Sequence, residues 1–336
     1  MLPWKWASGL RCTVGLHLAL NVPFRLGAPP NIIMTDVYSH ASPVRRQAPW
    51  TFASALKDAT VEEWVNLHVH RRLAFALVRQ MQGRFEAVSP NHLTLLSGAL
   101  GVCAGICSYR SVEAGWPWLA LGALLLMASV VVDCADGMLA RLRGQSSELG
   151  RLLDGLVDQV SGVSAWYGIS HAMCAGIDVP GEWLYCTFAL LSVVLHVALY
   201  DQIKGSFIAL TTLERAAEPA QAPGSRFERW TAALHRNVYG AIMRACGGDD
   251  TPPRSGDRAA ARRQLSAPMR RASYLGLGTQ LCVLYTVALL GALTHVWVTF
   301  VVGQLLLSVL FNAWAVVSLV SWNRAVARLR VEPSGA

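Results

Sequence analysis

Residues 133–158 read DCADGMLARLRGQSSELGRLLDGLVD and set four aspartates, Asp133, Asp136, Asp154 and Asp158, beside long apolar runs. Asp133 and Asp136 are three residues apart, Asp154 and Asp158 four apart, so on helices each pair projects from one face. Two antiparallel helices joined at the short RLRGQSSE turn can bring those faces together, which predicts four carboxylates converging on one small volume. Alone, such a cluster is unfavourable: a carboxylate near hydrocarbon costs at least ~2.5 kcal/mol, and the charges repel one another. Arg141 and Arg151 are too few to neutralise it. Hard divalent cations take oxygen ligands, and two of them bridged by the four aspartates would neutralise the cluster while leaving positions open for phosphate oxygens.

The residues between the aspartates suit a phosphate ligand. Gly137 and Gly150 remove side chains where a ligand must approach the backbone closely, and Ala140, seven residues after Asp133, keeps the same face narrow. Arg141 offers a planar fork that matches a phosphate. Packing of small residues between membrane helices would account for the glycines and Ala140. It does not account for four aspartates.

The elements that must position these residues are long and apolar. Of 336 residues, 53% are hydrophobic and 15% charged, a balance that points to a bilayer. The stretches 116–132, 183–200, 274–293 and 296–320 contain no Asp, Glu, Lys or Arg, and each approaches or exceeds the roughly 20 residues of a membrane helix. Residues 93–108 are shorter, and 152–173 are apolar once past Asp154 and Asp158. The pattern predicts an all-α bundle of six transmembrane helices, with the aspartates at the end of the second and the start of the third. Basic residues set its orientation. Arg71, Arg72, Arg79 and Arg84 precede the first helix, Arg141 and Arg143 follow the second, Lys204 through Arg271 lie between the fourth and fifth, and Arg324, Arg328 and Arg330 follow the sixth. Both termini and the aspartates are therefore expected on the cytoplasmic side. The net charge of +8 then reads as topology and attraction to anionic membrane lipid rather than as a nucleic-acid footprint.

Four segments are expected. Residues 1–59 mix Pro, Ser and polar residues without a period and read as largely irregular. In 60–88, Thr60 with Glu63 three residues on resembles a capping box, opening an amphipathic juxtamembrane helix in which Arg71 snorkels. The membrane domain runs 89–325, starting with Ser89 as N-cap and Pro90 in the first turn. Its 203–270 cytoplasmic loop holds one surface helix near 226–245, and 326–336 is a tail. The eight cysteines form no CxxC pair, and Cys103 and Cys107 read as small packing residues. His68, His70, His92, His171 and His196 lack metal-ligand spacing and read as interfacial or packing groups.

Asp133-x2-Asp136-Gly137-x2-Ala140-Arg141-x8-Gly150-x3-Asp154-x3-Asp158 resembles the signature of the CDP-alcohol phosphatidyltransferase family at every fixed position. The resemblance covers roughly 60–325 and includes SPNHLT before the first span. It implies an integral membrane enzyme, expected in the bacterial cytoplasmic membrane. An acceptor hydroxyl would attack the phosphorus of a CDP-alcohol lipid donor, CDP-diacylglycerol above all, and release CMP for phospholipid synthesis. By that similarity Asp133, Asp136 and Asp154 hold metal, two Mg2+ or Mn2+ ions, while Asp158 completes the site and acts as base. Gly137, Ala140, Arg141 and Gly150 would line the CDP group. A homodimer is implied as well. Arg143, Arg151 and Lys204 are candidates for an acceptor phosphate, since the arm before the first span resembles that of members using inositol-phosphate-type acceptors; another polyol is the alternative. Two other readings stay open: a CDP-aminoalcohol enzyme acting on a lipid hydroxyl, and a carboxylate-based ion transporter. Intramembrane prenyltransferases need two separated Asp-rich clusters, and the chain has one.

Overall fold

The computed structural model describes residues 50–331 apart from 57, 83–84, 86, 146–147, 176–180, 213–257 and 296. The described residues form helices and no strand. In chain order these are α1 (Phe52–Ala55), α2 (Arg71–Met81, entered through a π-helical turn, Asn66–His70), α3 (Pro90–Ala114), α4 (Trp116–Arg143), α5 (Glu148–Ala175), α6 (Glu182–Thr211), α7 (Arg258–Ala272), α8 (Leu277–Thr294) and α9 (Trp297–Val331). Among the described residues, five helices are long and apolar enough to cross a membrane: α3, α4, α6 over Cys186–Thr211, α8, and α9 over Val309–Leu329. The remaining expected span lies in α5. Its 28 residues would reach about 42 Å at 1.5 Å each, but Asp154 and Asp158, then Gln159, Ser161, Ser164 and His171, make it more polar than the others.

Several boundaries differ from the sequence reading. The expected loop from 203 is helical through Thr211 in α6, and Arg258–Ala272 is a helix before α8. The surface helix near 226–245 and the irregular segment up to residue 49 lie outside the described residues. Local capping starts α1: Thr51 and Ser54 cap each other's backbone N–H, and Phe52 meets Phe75 edge-on at 5.6 Å between centroids. At α3 the expected start is present. Ser89 Oγ accepts from the His92 N–H, His92 Nδ1 accepts in return from the Ser89 N–H, and Pro90 occupies the first turn.

Small residues let α3 approach two neighbours at once. A Cβ at Gly105 would lie 2.4 Å from the Ser164 carbonyl oxygen, one at Gly168 2.1 Å from the Gly105 oxygen, and one at Gly101 2.3 Å from Ser161 Cβ. Helix α3 thus packs along both α4 and α5, whereas α4 and α5 have little contact with each other. This corrects the simple hairpin: the two acidic helices are held together through α3. Leu119, Leu126, Ile169, Leu284 and Ala288 fill the core between α4, α5 and α8, and Ile203, Phe207, Leu265, Met269 and Trp322 that between α6, α7 and α9.

The arm before α3 is clamped to the bundle by polar contacts distant in sequence. Residues 59–62 turn rather than begin a helix, and Glu63 does not close a capping box on Thr60. It instead caps α8: Oε2 accepts from the Thr279 N–H at 2.8 Å and its hydroxyl at 3.0 Å, and Oε1 from the Gly278 N–H at 3.4 Å. Tyr200 donates to the Val61 carbonyl and Arg262 to Asp58 at 2.7 Å. Arg71, expected to snorkel, donates to Glu62 at 2.9 Å. His70 is fully buried between Asn66 and Tyr285; desolvation takes its imidazole down to about 4, so it packs as a neutral ring.

Burial pushes the Glu63 carboxyl up from its ordinary 4.5 to about 7, against the Thr279 and Gly278 donors that favour the charged form. A group raised in the folded state gives its full contribution below the unfolded value and loses it as pH rises through the folded one. The arm is therefore expected to loosen between about pH 4.5 and 7, seen as faster amide exchange at 63–70. Glu63→Gln should flatten that slope. Glu63→Ala leaves buried α8 donors without an acceptor and should cost about 1–3 kcal/mol, read as a lower Tm.

Candidate active site

Helix α4 ends at Gly144, whose φ of 65° is the left-handed cap a glycine allows, and the Gln145 N–H closes on the Ala140 carbonyl at 2.9 Å. This termination puts Asp133 and Asp136 in the last turns of α4 and Asp154 and Asp158 in the first turns of α5. One carboxylate oxygen each from Asp133, Asp154 and Asp158 lies within 4.8 Å of the others. Asp133 Oδ1 is buried with no hydrogen-bond partner. A buried anionic oxygen without a donor is costly, and a hard cation shared by three carboxylates would satisfy it with the ligand type that Mg2+ and Mn2+ take. The residues present fit such an ion.

Asp136, the fourth aspartate, is buried beside this group, and its Oδ2 accepts the Thr94 hydroxyl at 2.5 Å. Sequence reasoning gave Thr94 no role, although it lies in SPNHLT, one turn into α3. The available signal was a hydroxyl set between Leu93 and Leu95, where the helix turns apolar. Thr94→Val is expected to keep the fold and lower turnover about 10–100-fold, the usual cost of losing a partner that orients a ligand. Thr94→Ser should restore most of the rate.

The basic candidates separate. Arg141 Nε donates to the Ala55 carbonyl at 2.8 Å, while its Nη2 is buried without a partner. A Cβ at Gly137 would sit 3.4 Å from Arg141 Nη1, so the glycine lets the guanidinium lie over the helix. Arg143 donates to the carbonyls of Val88 and Phe85, the latter at 3.1 Å, and so ties the turn before α3 to the end of α4. Lys204 stands 5.2 Å from the Tyr200 ring centroid on the side where the arm meets α6. Ala140 is half-buried on α4 and Gly150 half-buried in the first turn of α5; Arg151 lies on α5, its side chain outside the described residues. The structure thus brings Asp133, Asp154 and Asp158 together with Asp136 adjacent, and gives Arg143 and Lys204 protein partners of their own. Of the histidines, His171 stacks between Tyr109 and Trp183, and His196 contacts Asn312 at 3.2 Å.

Residues 87–222, which contain α3 to α6 and all four aspartates, match the family model described as CDP-alcohol phosphatidyltransferase. They form a CDP-alcohol phosphatidyltransferase domain. Among its relatives is the bifunctional IPC transferase and DIPP synthase of Thermococcus kodakarensis, 26% identical over 186 residues, or 55% of this chain and 40% of that one. The CDP-diacylglycerol–serine O-phosphatidyltransferase of Mycobacterium leprae is 29% identical over 120 residues, 34% of this chain and 36% of that one. The phosphatidylinositol phosphate synthase of Streptomyces avermitilis is 35% identical over 100 residues, 27% of this chain and 38% of that one. The chain spans about two-fifths of the length of these curated relatives. The match ends at residue 222, so α7 to α9 and the arm before residue 87 lie outside it while packing against the helices within it.

Proposed function

We propose that this protein transfers a substituted phosphate from a CDP-alcohol, CDP-diacylglycerol in the first place, to an acceptor hydroxyl and releases CMP in phospholipid synthesis. The observation that carries this reading is the three-carboxylate group with its partnerless Asp133 oxygen inside the family domain. Asp133, Asp136, Asp154 and Asp158 would hold two Mg2+ or Mn2+ ions. When bound, such ions neutralise the pyrophosphate and make CMP a better leaving group.

The chain's own residues do the rest. Asp158 accepts the proton of the acceptor hydroxyl as its oxygen forms the new bond to phosphorus. The bond between that phosphorus and the CMP oxygen breaks, and CMP departs with the electron pair. Thr94 holds Asp136 in one rotamer. The partnerless Nη2 of Arg141 donates to a phosphate oxygen, and Gly137, Ala140 and Gly150 leave room for the CDP group. Arg143, Arg151 and Lys204 are the cations proposed for an acceptor phosphate, with Arg143 first needing to release Val88 and Phe85. The name of the Streptomyces relative, a phosphatidylinositol phosphate synthase, supports an inositol phosphate or similar polyol as acceptor. Six spans with α5 as the third, a homodimer, both termini cytoplasmic and a place in the bacterial inner membrane complete the proposal.

The test incubates purified full-length protein with CDP-diacylglycerol, Mg2+ or Mn2+ and a panel of polyols, polyol phosphates and serine, following CMP and the lipids formed by mass spectrometry. Metal-dependent CMP release with one acceptor is expected. Absence of CMP release across the panel with either metal, from protein shown to be folded, sinks the reading.

A further inference from the structure

Helices α7 and α9 enclose a cleft of about 590 Å³ whose lining includes none of the signature residues. Along α9 it is graded in polarity. Val317, Ser321, Arg324 and Arg328 are four, three and four residues apart, so they form one stripe on the helix surface that passes from apolar to cationic over about 16 Å at 1.5 Å per residue. Val316 and Val317 are 60% and 50% exposed. From the facing helix, Arg271 Nη1 donates to Ser321 Oγ at 3.0 Å, adding a third guanidinium to the cationic half. Trp314 donates to the Arg271 carbonyl at 2.9 Å and meets Tyr274 edge-on at 6.3 Å, which ties α9 to the end of α7 at the apolar end of the stripe.

The lining contains Arg271, Arg324 and Arg328 and no carboxylate. Arg324 and Arg328 have no hydrogen-bond or ion-pair partner among the described residues. Three guanidinium groups with one internal hydrogen bond between them call for an anion, and guanidinium forks match phosphate oxygens. The exposed valines below them call for hydrocarbon. A free phosphate would use only the upper half, and a zwitterionic headgroup would bring its own cation into the same cleft.

We propose that this cleft binds the phosphodiester headgroup of an anionic glycerophospholipid, with its acyl chains along Val316 and Val317. The site is separate from the acidic cluster, and it lies beyond the CDP-alcohol phosphatidyltransferase match.

Two measurements on the full chain test it, neither of which uses turnover, so failure of the proposed reaction and failure of this site are told apart. In nanodiscs of phosphatidylcholine with or without phosphatidylglycerol, the anionic lipid should slow amide exchange at 264–271 and 321–328 in the wild-type protein, and inorganic phosphate should not. In native mass spectrometry from detergent, the wild type should retain phosphatidylglycerol over phosphatidylcholine. Arg271→Gln, Arg324→Gln and Arg328→Gln should each reduce that preference about fivefold. An unchanged preference in the triple variant overturns the proposal, as does equal protection by inorganic phosphate or by phosphatidylcholine alone. Should the triple variant not fold, the exchange measurement on the wild type decides.

Discussion

Replacing Asp158 by asparagine is expected to lower metal-dependent CMP release by about 10²–10⁴-fold, the range that a positioned general base supplies. The amide keeps the volume and the hydrogen-bonding shape of the carboxylate but takes up no proton from an acceptor hydroxyl. Asp158 shares its place with Asp133 and Asp154, whose oxygens lie within 4.8 Å of it, so the same substitution removes one charge from a repelling group. In chelator-treated protein the variant should therefore have a higher Tm than the wild type, because like charges held together destabilise the fold that confines them. Added Mn2+ should reverse the order, raising the Tm of the wild type more than that of the variant. A residue that merely packs would lower stability with and without metal. Asp158→Asn protein that retains full CMP release removes the base role.

The second large effect is expected at Gly101, which contacts no acidic side chain. Its Cβ position is 2.3 Å from Ser161 Cβ and 3.1 Å from Ser129 Oγ. Ser161 is three residues after Asp158, and Ser129 four before Asp133. Any side chain at Gly101 pushes α5 and α4 apart, one turn from the aspartates on each. Ser129 also donates to the Ser97 carbonyl at 2.8 Å, so α4 cannot yield without losing that contact. Gly101→Leu is expected to cost on the order of 3 kcal/mol by overpacking. A displacement near 1 Å in the carboxylate group should lower turnover about 100-fold. Gly98 is the graded comparison, because its three nearest atoms, the closest at 2.5 Å, all belong to the Val157 side chain on α5 alone. Gly162, on α5 with nothing within 4 Å, is the control: Gly162→Ala should stabilise by up to ~1 kcal/mol through helix propensity alone. Thermal unfolding beside CMP release separates the three. Equal losses at Gly98, Gly101 and Gly162 would dismiss the seam as the positioning device.

These residues also show what a linear reading reaches. The acidic pairs were legible because spacings of three and four fix which side chains share a helix face whatever surrounds the helix. The start of α3 was legible because Ser89, Pro90 and His92 act within one turn. Spacing does not say which helix a face meets, so the hairpin was expected to close on itself, whereas α3 stands in contact with both arms through Gly98, Gly101 and Gly105. Glu63 was misread for a related reason. Its local environment favours a cap on its own helix, but its partners Gly278 and Thr279 are more than 200 residues away, and nothing near Glu63 marks them. Arg143 was read as a candidate for an acceptor phosphate, and the structure gives it the carbonyls of Val88 and Phe85. The family was identifiable from eight positions at fixed spacing, and the match over 87–222 covers those positions. Thr94 lies within the SPNHLT stretch, yet a hydroxyl in a helix has many uses, and only its contact with Asp136 selects one.

The central claim is that the aspartates of α4 and α5 coexist because they share bound dications. Mn2+ titration followed by electron paramagnetic resonance on purified, chelator-stripped protein tests it without any substrate. Saturable binding is expected in the wild type, loss of most of it in Asp133→Asn and Asp154→Asn, and spin coupling between neighbouring ions at saturation. Wild-type protein that is folded and binds no Mn2+, or variants that bind it as tightly as the wild type, would contradict it.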